Sequence, residues 1–151
     1  MTLILSEADV RGLLTMELAL QAVEDSFARL GDGSATIQSR QRLHVPKGSF
    51  LHYMAAADSK GGYMGLKIYT SSSEGLRFLV PLYHAVSGDL LALIEADYLG
   101  QMRTGAASGV ATRLLARADA KTIGMVGTGL QARTQLQAIA AVRKIERIRV
   151  F

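Results

Sequence analysis

The sequence predicts an α/β protein in which a mixed α+β region is followed by the beginning of a β–α–β unit. Three observations predict this class. Helical periodicity fills the first thirty residues, short extended runs separated by turn signals fill residues 40–95, and the last thirty residues read as strand, glycine turn, helix and strand. With 151 residues, 49% of them hydrophobic, the chain is long enough to bury a core, and its composition excludes disorder and coiled coil.

The chain opens with two predicted helices. Ser6 followed by Asp9 resembles a capping signal, and Thr15 can cap a second helix that ends at Gly31. Apolar residues recur at helical spacing in this second helix: Ala19, Ala22, Val23, Phe27 and Leu30. The second helix therefore has one apolar face that can pack against the rest of the protein.

Five extended runs follow the helices, at about residues 42–45, 50–57, 63–70, 78–83 and 90–94. Pro46-Lys47-Gly48 separates the first two runs, and Ser87-Gly88-Asp89 is typical of a hairpin turn between the last two. The pattern predicts an antiparallel or mixed sheet.

A further helix is predicted from Asp97 to about Arg117. Its middle, from Gly105 to Gly109, consists only of small residues, so another backbone or a ligand could approach it closely. Arg103 precedes this run. A guanidinium near a helix start can clamp a carboxylate with two hydrogen bonds, although an ordinary surface arginine fits the pattern equally well.

The glycine turn after residue 126 has the pattern G-x-G-x-x-A, over Gly127-Thr128-Gly129-Leu130-Gln131-Ala132. It follows a β-type run and opens a helix that leads to another strand, which is the context of a Rossmann dinucleotide-binding turn. Gly127 permits the tight turn, Gly129 lets the backbone approach a pyrophosphate, and Ala132 allows close packing of helix on strand. The acidic residue expected about 20 residues on does not occur before Phe151, so NAD and NADP both stay open.

Two cations of the extended region are candidate site residues, Lys67 and Arg42. Period-2 alternation places Lys67 with Tyr69 on one strand face, opposite Leu66 and Ile68. Such a lysine is either a solvated edge residue or a desolvated group that acts on a carbonyl or imine. Arg42 is one of a closely spaced arginine pair, for which a surface role is the simpler interpretation. The three histidines show no metal-ligand spacing, so no metal site is predicted.

Charge and composition limit the other classes of partner. Residues 1–100 contain 8 Lys and Arg against 11 Asp and Glu, whereas residues 101–151 contain 9 against 2. The basic residues of the last third are spread singly, which argues against a nucleic-acid-binding arm. No apolar run approaches membrane-spanning length and no signal peptide is visible, so we expect a cytoplasmic protein without a membrane partner. The absence of cysteine excludes disulfides and thiolate sites.

Several segments together resemble one family, that of ornithine cyclodeaminase and mu-crystallin. The matching stretches are Gly65-Leu66-Lys67, residues 87–92 (SGDLLA), residues 99–108 (LGQMRTGAAS) and Gly127 to Ala132. An Arg-Thr pair followed by small residues, with G-x-G-x-Q-A about two dozen positions later, is a specific combination. The resemblance covers the chain from its first helix to Phe151.

The resemblance implies the N-terminal portion of an NAD(P)-dependent oxidoreductase that acts on small amino or imino acids and forms a homodimer. Residues 1–118 would form an α+β substrate-binding and dimerisation domain, and residues 119–151 would begin the Rossmann domain that binds NAD or NADP. Family reactions are the cyclodeamination of ornithine, the dehydrogenation of amino acids and the reduction of ketimines.

The resemblance also implies roles for individual residues. Arg42, Lys67 and Arg103 match the cations that bind the substrate, with Lys67 as the catalytic residue. The residues that match the cofactor site are Arg103, Thr104, Gly127, Thr128, Gly129, Leu130, Gln131 and Ala132. The family's acid/base aspartate would follow Phe151, so the 151 residues alone are expected to be inactive. Two alternatives stay open: a non-catalytic NAD(P)- or ligand-binding protein of the mu-crystallin kind, and a truncated product that only oligomerises through its sheet.

Overall fold

The computed structural model describes residues 1–151 and confirms the α/β class. Four helices and nine strands follow in the order β1 (Leu3–Leu5), α1 (Glu7–Leu13), α2 (Met16–Gly31), β2 (Ala35–Ile37), β3 (Gln41–His44), β4 (Phe50–Asp58), β5 (Tyr63–Ser72), β6 (Gly75–His84), β7 (Leu90–Glu95), α3 (Asp97–Leu115), β8 (Thr122–Met125), α4 (Ala132–Val142) and β9 (Arg147–Val150). No helix combines the length and the hydrophobicity that crossing a membrane requires.

Two compact units divide the chain. The first contains Met1–Leu13 and Phe27–Asp97, and the second contains Leu14–Ser26 and Tyr98–Phe151, so α2 contributes to both. The domain boundary that the sequence predicts between residues 118 and 119 stays a prediction. The second unit contains α3 together with β8, α4 and β9, because α3 packs against α4.

The first unit is built on a seven-stranded mixed sheet. Its strand order is β1-β7-β6-β5-β4-β2, with β3 also paired to β4. The pair β1–β7 is parallel and all the other pairs are antiparallel. The turn predicted at Ser87-Gly88-Asp89 is confirmed: Gly88 has φ +75°, and the His84 N–H donates to the Asp89 carbonyl at 2.9 Å. The three-residue strands β1 and β2 were not predicted.

Both predicted capping signals of the first two helices are confirmed. The Ser6 N–H donates to the Asp9 carboxylate at 2.9 Å, and the Asp9 N–H lies 3.3 Å from the Ser6 hydroxyl, which is a reciprocal cap. The Thr15 hydroxyl accepts the Leu18 N–H at 3.3 Å. These side chains therefore satisfy N–H groups that the first turn of a helix leaves without a backbone partner.

The core of the second unit explains the small-residue run of α3. The core side chains are Met16, Ala19, Leu20, Met102, Ala106, Val110 and Ala138. A Cβ added at Gly105 would lie 2.4 Å from the Thr134 carbonyl oxygen of α4, and one at Gly109 would lie 2.6 Å from a Leu20 methyl and 3.1 Å from Ala138. The sequence predicts that either another backbone or a ligand approaches the small-residue run. At these two glycines the close neighbour is backbone or a core side chain.

Arg143, just after α4, closes the C-terminal end of α3. Its Nη2 donates to the carbonyls of Thr112, Arg113 and Ala116 at 3.0, 3.0 and 2.9 Å, and its Nε donates to the carbonyl of Arg117 at 3.2 Å. The last carbonyls of a helix have no partner within the helix, and a cation also interacts favourably with the negative end of the helix dipole. Arg143 thus ties α3 to the end of α4.

Candidate functional site

A row of stacked rings lies on one face of the sheet in the first unit. Arg42 pairs with His52, His52 with Tyr69, and Tyr69 with Phe78, and residues opposite one another on paired strands project from the same face. The ring row consists of His44, Phe50, His52, Tyr69 and Phe78, with successive ring centroids 4.4, 6.0, 4.3 and 5.0 Å apart. It is a continuous stack of rings that crosses four strands.

Two of the predicted substrate cations lie over this row. The Lys67 Nζ is 5.1 Å from the centroid of Tyr69 and 4.9 Å from that of Phe78, and the Arg42 Cζ is 5.1 Å from the centroid of Phe50. These are cation–π distances, so the ring faces hold both charged groups against the sheet. The structure therefore brings Arg42 and Lys67 to one face, with Lys67 beside Tyr69 as the strand periodicity predicts.

His52, in the middle of the row, is held as a neutral imidazole. Its Nε2 lies 3.1 Å from the Ser71 hydroxyl, and its Nδ1 is buried without a hydrogen-bond partner. Burial lowers the pKa of His52, and the nearby charges of Arg42 and Arg40 lower it further. The positive charge of this face at neutral pH therefore comes from its arginines and Lys67. Such a face can bind a carboxylate next to an ammonium group able to donate a proton.

Sequence reasoning missed the ring row as part of the site. Its members come from four strands, so no local motif announces them, and only the pairing register brings them together. The available signal was the period-2 spacing, which places Phe50 with His52 on one face of their strand and Lys67 with Tyr69 on one face of theirs.

The predicted glycine turn, in the second unit, forms an open cavity of about 350 Å³. Gly127 has φ +86°, a conformation that favours glycine, and its N–H donates to the Phe151 carbonyl at 3.0 Å. A Cβ added at Gly129 would meet nothing within 4 Å, so this glycine is not required by packing. The cavity is lined by Met125, Val126, Gly127, Gly129, Leu130, Gln131, Ala132 and Gln135.

Helix α4 starts at this cavity without a side-chain cap. Gln131 is its N-cap residue and makes no capping hydrogen bond, while the Ala132 N–H donates to the Gly129 carbonyl at 2.9 Å. An uncapped helix start offers N–H groups and the positive end of the helix dipole to an anion. The open space at Gly129 lets a ligand come close to the backbone there. The turn from Thr128 to Gln131 therefore fits a pyrophosphate.

Arg103 and Thr104 lie on α3, in the second unit with the turn. The Arg103 side chain is exposed. The Thr104 hydroxyl donates to the Gly100 carbonyl at 2.7 Å, and the Thr104 carbonyl lies 3.5 Å from the Gln135 side-chain nitrogen of α4. Thr104 is thus linked to a residue that lines the cavity. No group of three or more His, Asp or Glu side chains is arranged to hold a metal ion.

The fold and the turn define an α/β protein whose second unit contains a strand, a glycine turn, a helix and a second strand parallel to the first. A model of the ornithine cyclodeaminase/mu-crystallin family matches residues 1–151, and the chain belongs to that family. The resemblance that the sequence motifs indicate is therefore confirmed.

Known relatives agree in sequence and in structure. Alanine dehydrogenase of Archaeoglobus fulgidus is 35% identical over 157 residues, an alignment that covers 99% of this chain and 48% of the relative. The structure of Thermococcus litoralis Delta(1)-pyrroline-2-carboxylate reductase in complex with NADH and L-proline matches 99% of this chain and 49% of its own, with 36% identity and a TM-score of 0.90. An archaeal alanine dehydrogenase dimer with bound NAD matches 99% and 48%, with 34% identity and a TM-score of 0.92. The chain spans about half the length of the relatives it matches.

Proposed function

We propose that the protein containing this chain is an NAD(P)-dependent oxidoreductase that acts on a small amino or imino acid. The observation that carries the proposal is the glycine turn, where Gly129 leaves open space beside the uncapped start of α4. Membership of a family whose relatives include alanine dehydrogenase and a pyrroline-carboxylate reductase supports the reaction class. The cation-bearing face of the sheet supports the substrate class, since every amino or imino acid carries a carboxylate.

The cofactor residues proposed are those of the turn. Backbone N–H groups from Thr128 to Gln131 would bind the pyrophosphate, Gly127 and Ala132 would keep the turn and the helix in place, and Arg103 with Thr104 would contact the cofactor from α3. When bound, a nicotinamide cofactor supplies or accepts the hydride at the substrate's α-carbon. Both NAD and NADP remain candidates.

The substrate residues proposed are Arg42, Lys67 and Arg103. Arg42, held over Phe50, would orient the substrate carboxylate and so present the α-carbon in one direction. Lys67, whose Nζ lies over the Tyr69 and Phe78 rings, would donate a proton to the imine nitrogen in the reductive direction. In the reverse direction the neutral Lys67 amine would take the proton back from the substrate nitrogen. The role of Arg103 as a second carboxylate ligand rests on its match to the family's Arg-Thr sequence.

A homodimer is proposed through the opposite face of the sheet. This face exposes large apolar residues, including Leu43, Leu51 and Leu79, whose exposed fractions are 60%, 36% and 38%. It also carries a groove of about 580 Å³ lined mainly by apolar residues of β4 and β5. Exposed apolar patches of this kind mark protein interfaces. We also propose that the protein is cytoplasmic.

The second candidate is a non-catalytic protein of the mu-crystallin kind, which keeps the dinucleotide turn without turnover. The two candidates are separated by assaying NADH and NADPH oxidation by the full-length gene product. The substrate panel should contain 2-oxo acids with ammonia and Delta(1)-pyrroline-2-carboxylate. The oxidoreductase proposal expects turnover of at least one substrate. Cofactor binding with no turnover across the panel would favour the mu-crystallin kind.

A further inference from the structure

Phe78 lies at the end of the ring row and is one of two rings close to the Lys67 ammonium group. The Lys67 Nζ lies 4.9 Å from the Phe78 centroid and 5.1 Å from the Tyr69 centroid. The two centroids are themselves 5.0 Å apart, and the ring planes make an angle of 30°. The ammonium group and the two rings therefore stand at nearly equal distances from one another, so both rings contribute to holding the charge.

The two rings are fixed by the sheet and by their neighbours. Tyr69 and Phe78 pair across β5 and β6, and the other neighbour of Tyr69 in the row is His52, whose ring lies 4.3 Å away at an angle of 6°. Lys67, Tyr69 and Phe78 are all half-buried. Cation–π attraction is stronger where water is partly excluded. The two rings thus form a fixed support for the lysine side chain on this face.

A lysine needs such a support to act at one place. Its four-carbon stem is flexible, and ordering it costs rotamer entropy that an attraction at the ammonium group must offset. Two fixed rings attract the ammonium group more strongly than one ring does, and they also restrict its position more. Proton transfer needs donor and acceptor within hydrogen-bond reach, and a misplacement of about 1 Å can lower a rate by about 10²-fold. Loss of one ring would therefore lower the rate through Lys67.

We infer that Phe78, together with Tyr69, is a positioning residue that holds the Lys67 ammonium group where it can protonate the substrate nitrogen. The inference rests on the proposed function, in which the Lys67 Nζ–H bond breaks as an N–H bond forms at the imine nitrogen and hydride from the nicotinamide cofactor is added to the carbon. Lys67 is left as a neutral amine and regains a proton from water. Tyr69 also lies near Arg40, whose Cζ is 5.8 Å from its centroid, so a change at Tyr69 affects two cations. Phe78 is therefore the residue to alter.

The test replaces Phe78 in the full-length gene product by phenylalanines that carry one, two and three ring fluorines. Fluorine withdraws electron density from the ring face and so weakens a cation–π contact, while the ring keeps its shape and its apolar character. We expect kcat to fall stepwise with fluorine number, by about tenfold in total, while KM and NAD(P)H affinity change much less. Phe78→Tyr should keep more of the rate than Phe78→Leu, which removes the ring. Fluorination of Phe27 on α2, outside the ring row, is the matched control.

A second measurement reports the hold on Lys67 without turnover. Acylation by acetic anhydride at constant pH, followed by peptide mass spectrometry, should be faster at Lys67 as fluorine is added at Phe78, and unchanged when it is added at Phe27. If the enzyme turns over but neither kcat nor the acylation rate follows the fluorine number at Phe78, the inference is overturned and the proposed function stands. If no substrate is turned over while the acylation rate of Lys67 still rises, the proposed function fails and the hold of Phe78 on Lys67 stands.

Discussion

Replacing Gly105 by alanine tests the close approach of α3 to α4, the helix that follows the glycine turn. The new Cβ would lie 2.4 Å from the Thr134 carbonyl oxygen and 2.7 Å from its carbon, so the helices must separate by about 1 Å to restore ordinary contact. Overpacking of this kind costs about 1–3 kcal/mol or more. Because the clash is with backbone atoms, which no rotamer change can relieve, the cost lies in the upper part of this range, at about 2–3 kcal/mol. Alanine gains about 1 kcal/mol over glycine in a helix interior, so we expect a net loss of about 1–2 kcal/mol in the free energy of unfolding.

Gly100 on the same helix provides the matched control. An alanine Cβ there meets nothing within 4 Å, so Gly100→Ala should raise the free energy of unfolding by about 0.5–1 kcal/mol. Urea unfolding followed by far-UV circular dichroism measures both variants against the wild type. The reasoning is refuted if Gly105→Ala is as stable as Gly100→Ala, because α4 would then not approach α3 as closely as the structure indicates.

Three further predictions concern the sheet face, the end of α3 and pH. Lys67→Ala in the full-length gene product should lower kcat by about 10²-fold or more while NAD(P)H affinity changes little, and unchanged turnover would remove Lys67 from the mechanism. Arg143→Met should lower the free energy of unfolding by about 1–3 kcal/mol, since it removes the side-chain donor from the Arg113 and Ala116 carbonyls and one of two donors from those of Thr112 and Arg117, whereas a stability equal to the wild type in urea would contradict the capping role. Hydrogen bonds from Lys60 and Ser34 hold the pKa of Asp32 well below its ordinary value, so its stabilisation is present above about pH 4 and is lost as the pH falls. Asp32→Asn should therefore be less stable than the wild type at pH 7 and approach it at pH 2, and a gap independent of pH would count against this linkage.

Much of the fold could be predicted because its signals are local. Capping at Ser6 and Thr15, strand alternation around Lys67 and the turn at Ser87-Gly88-Asp89 depend on neighbours a few residues away. Strands β1 and β2 escaped prediction because three residues are too few to show a period. They exist through pairing with distant strands, β1 with β7 and β2 with β4.

The candidate site likewise has one part that the sequence could predict and one part that it could not. The turn from Gly127 to Ala132 is a continuous motif, and the strand before it, the positive φ of Gly127 and the helix after it are as the sequence predicts. The ring row is not continuous, because His52, Tyr69 and Phe78 meet only through the register of three strands.

The most direct test of the central claim is a fluorescence titration of NADH and NADPH with the full-length gene product and its Gly129→Val variant. The account predicts saturable binding of at least one cofactor by the wild type. It also predicts loss of binding in Gly129→Val without loss of folding, because the valine side chain enters open space that the cofactor needs. A flat titration of well-folded wild-type protein, or undiminished binding by Gly129→Val, would contradict a dinucleotide site at this turn.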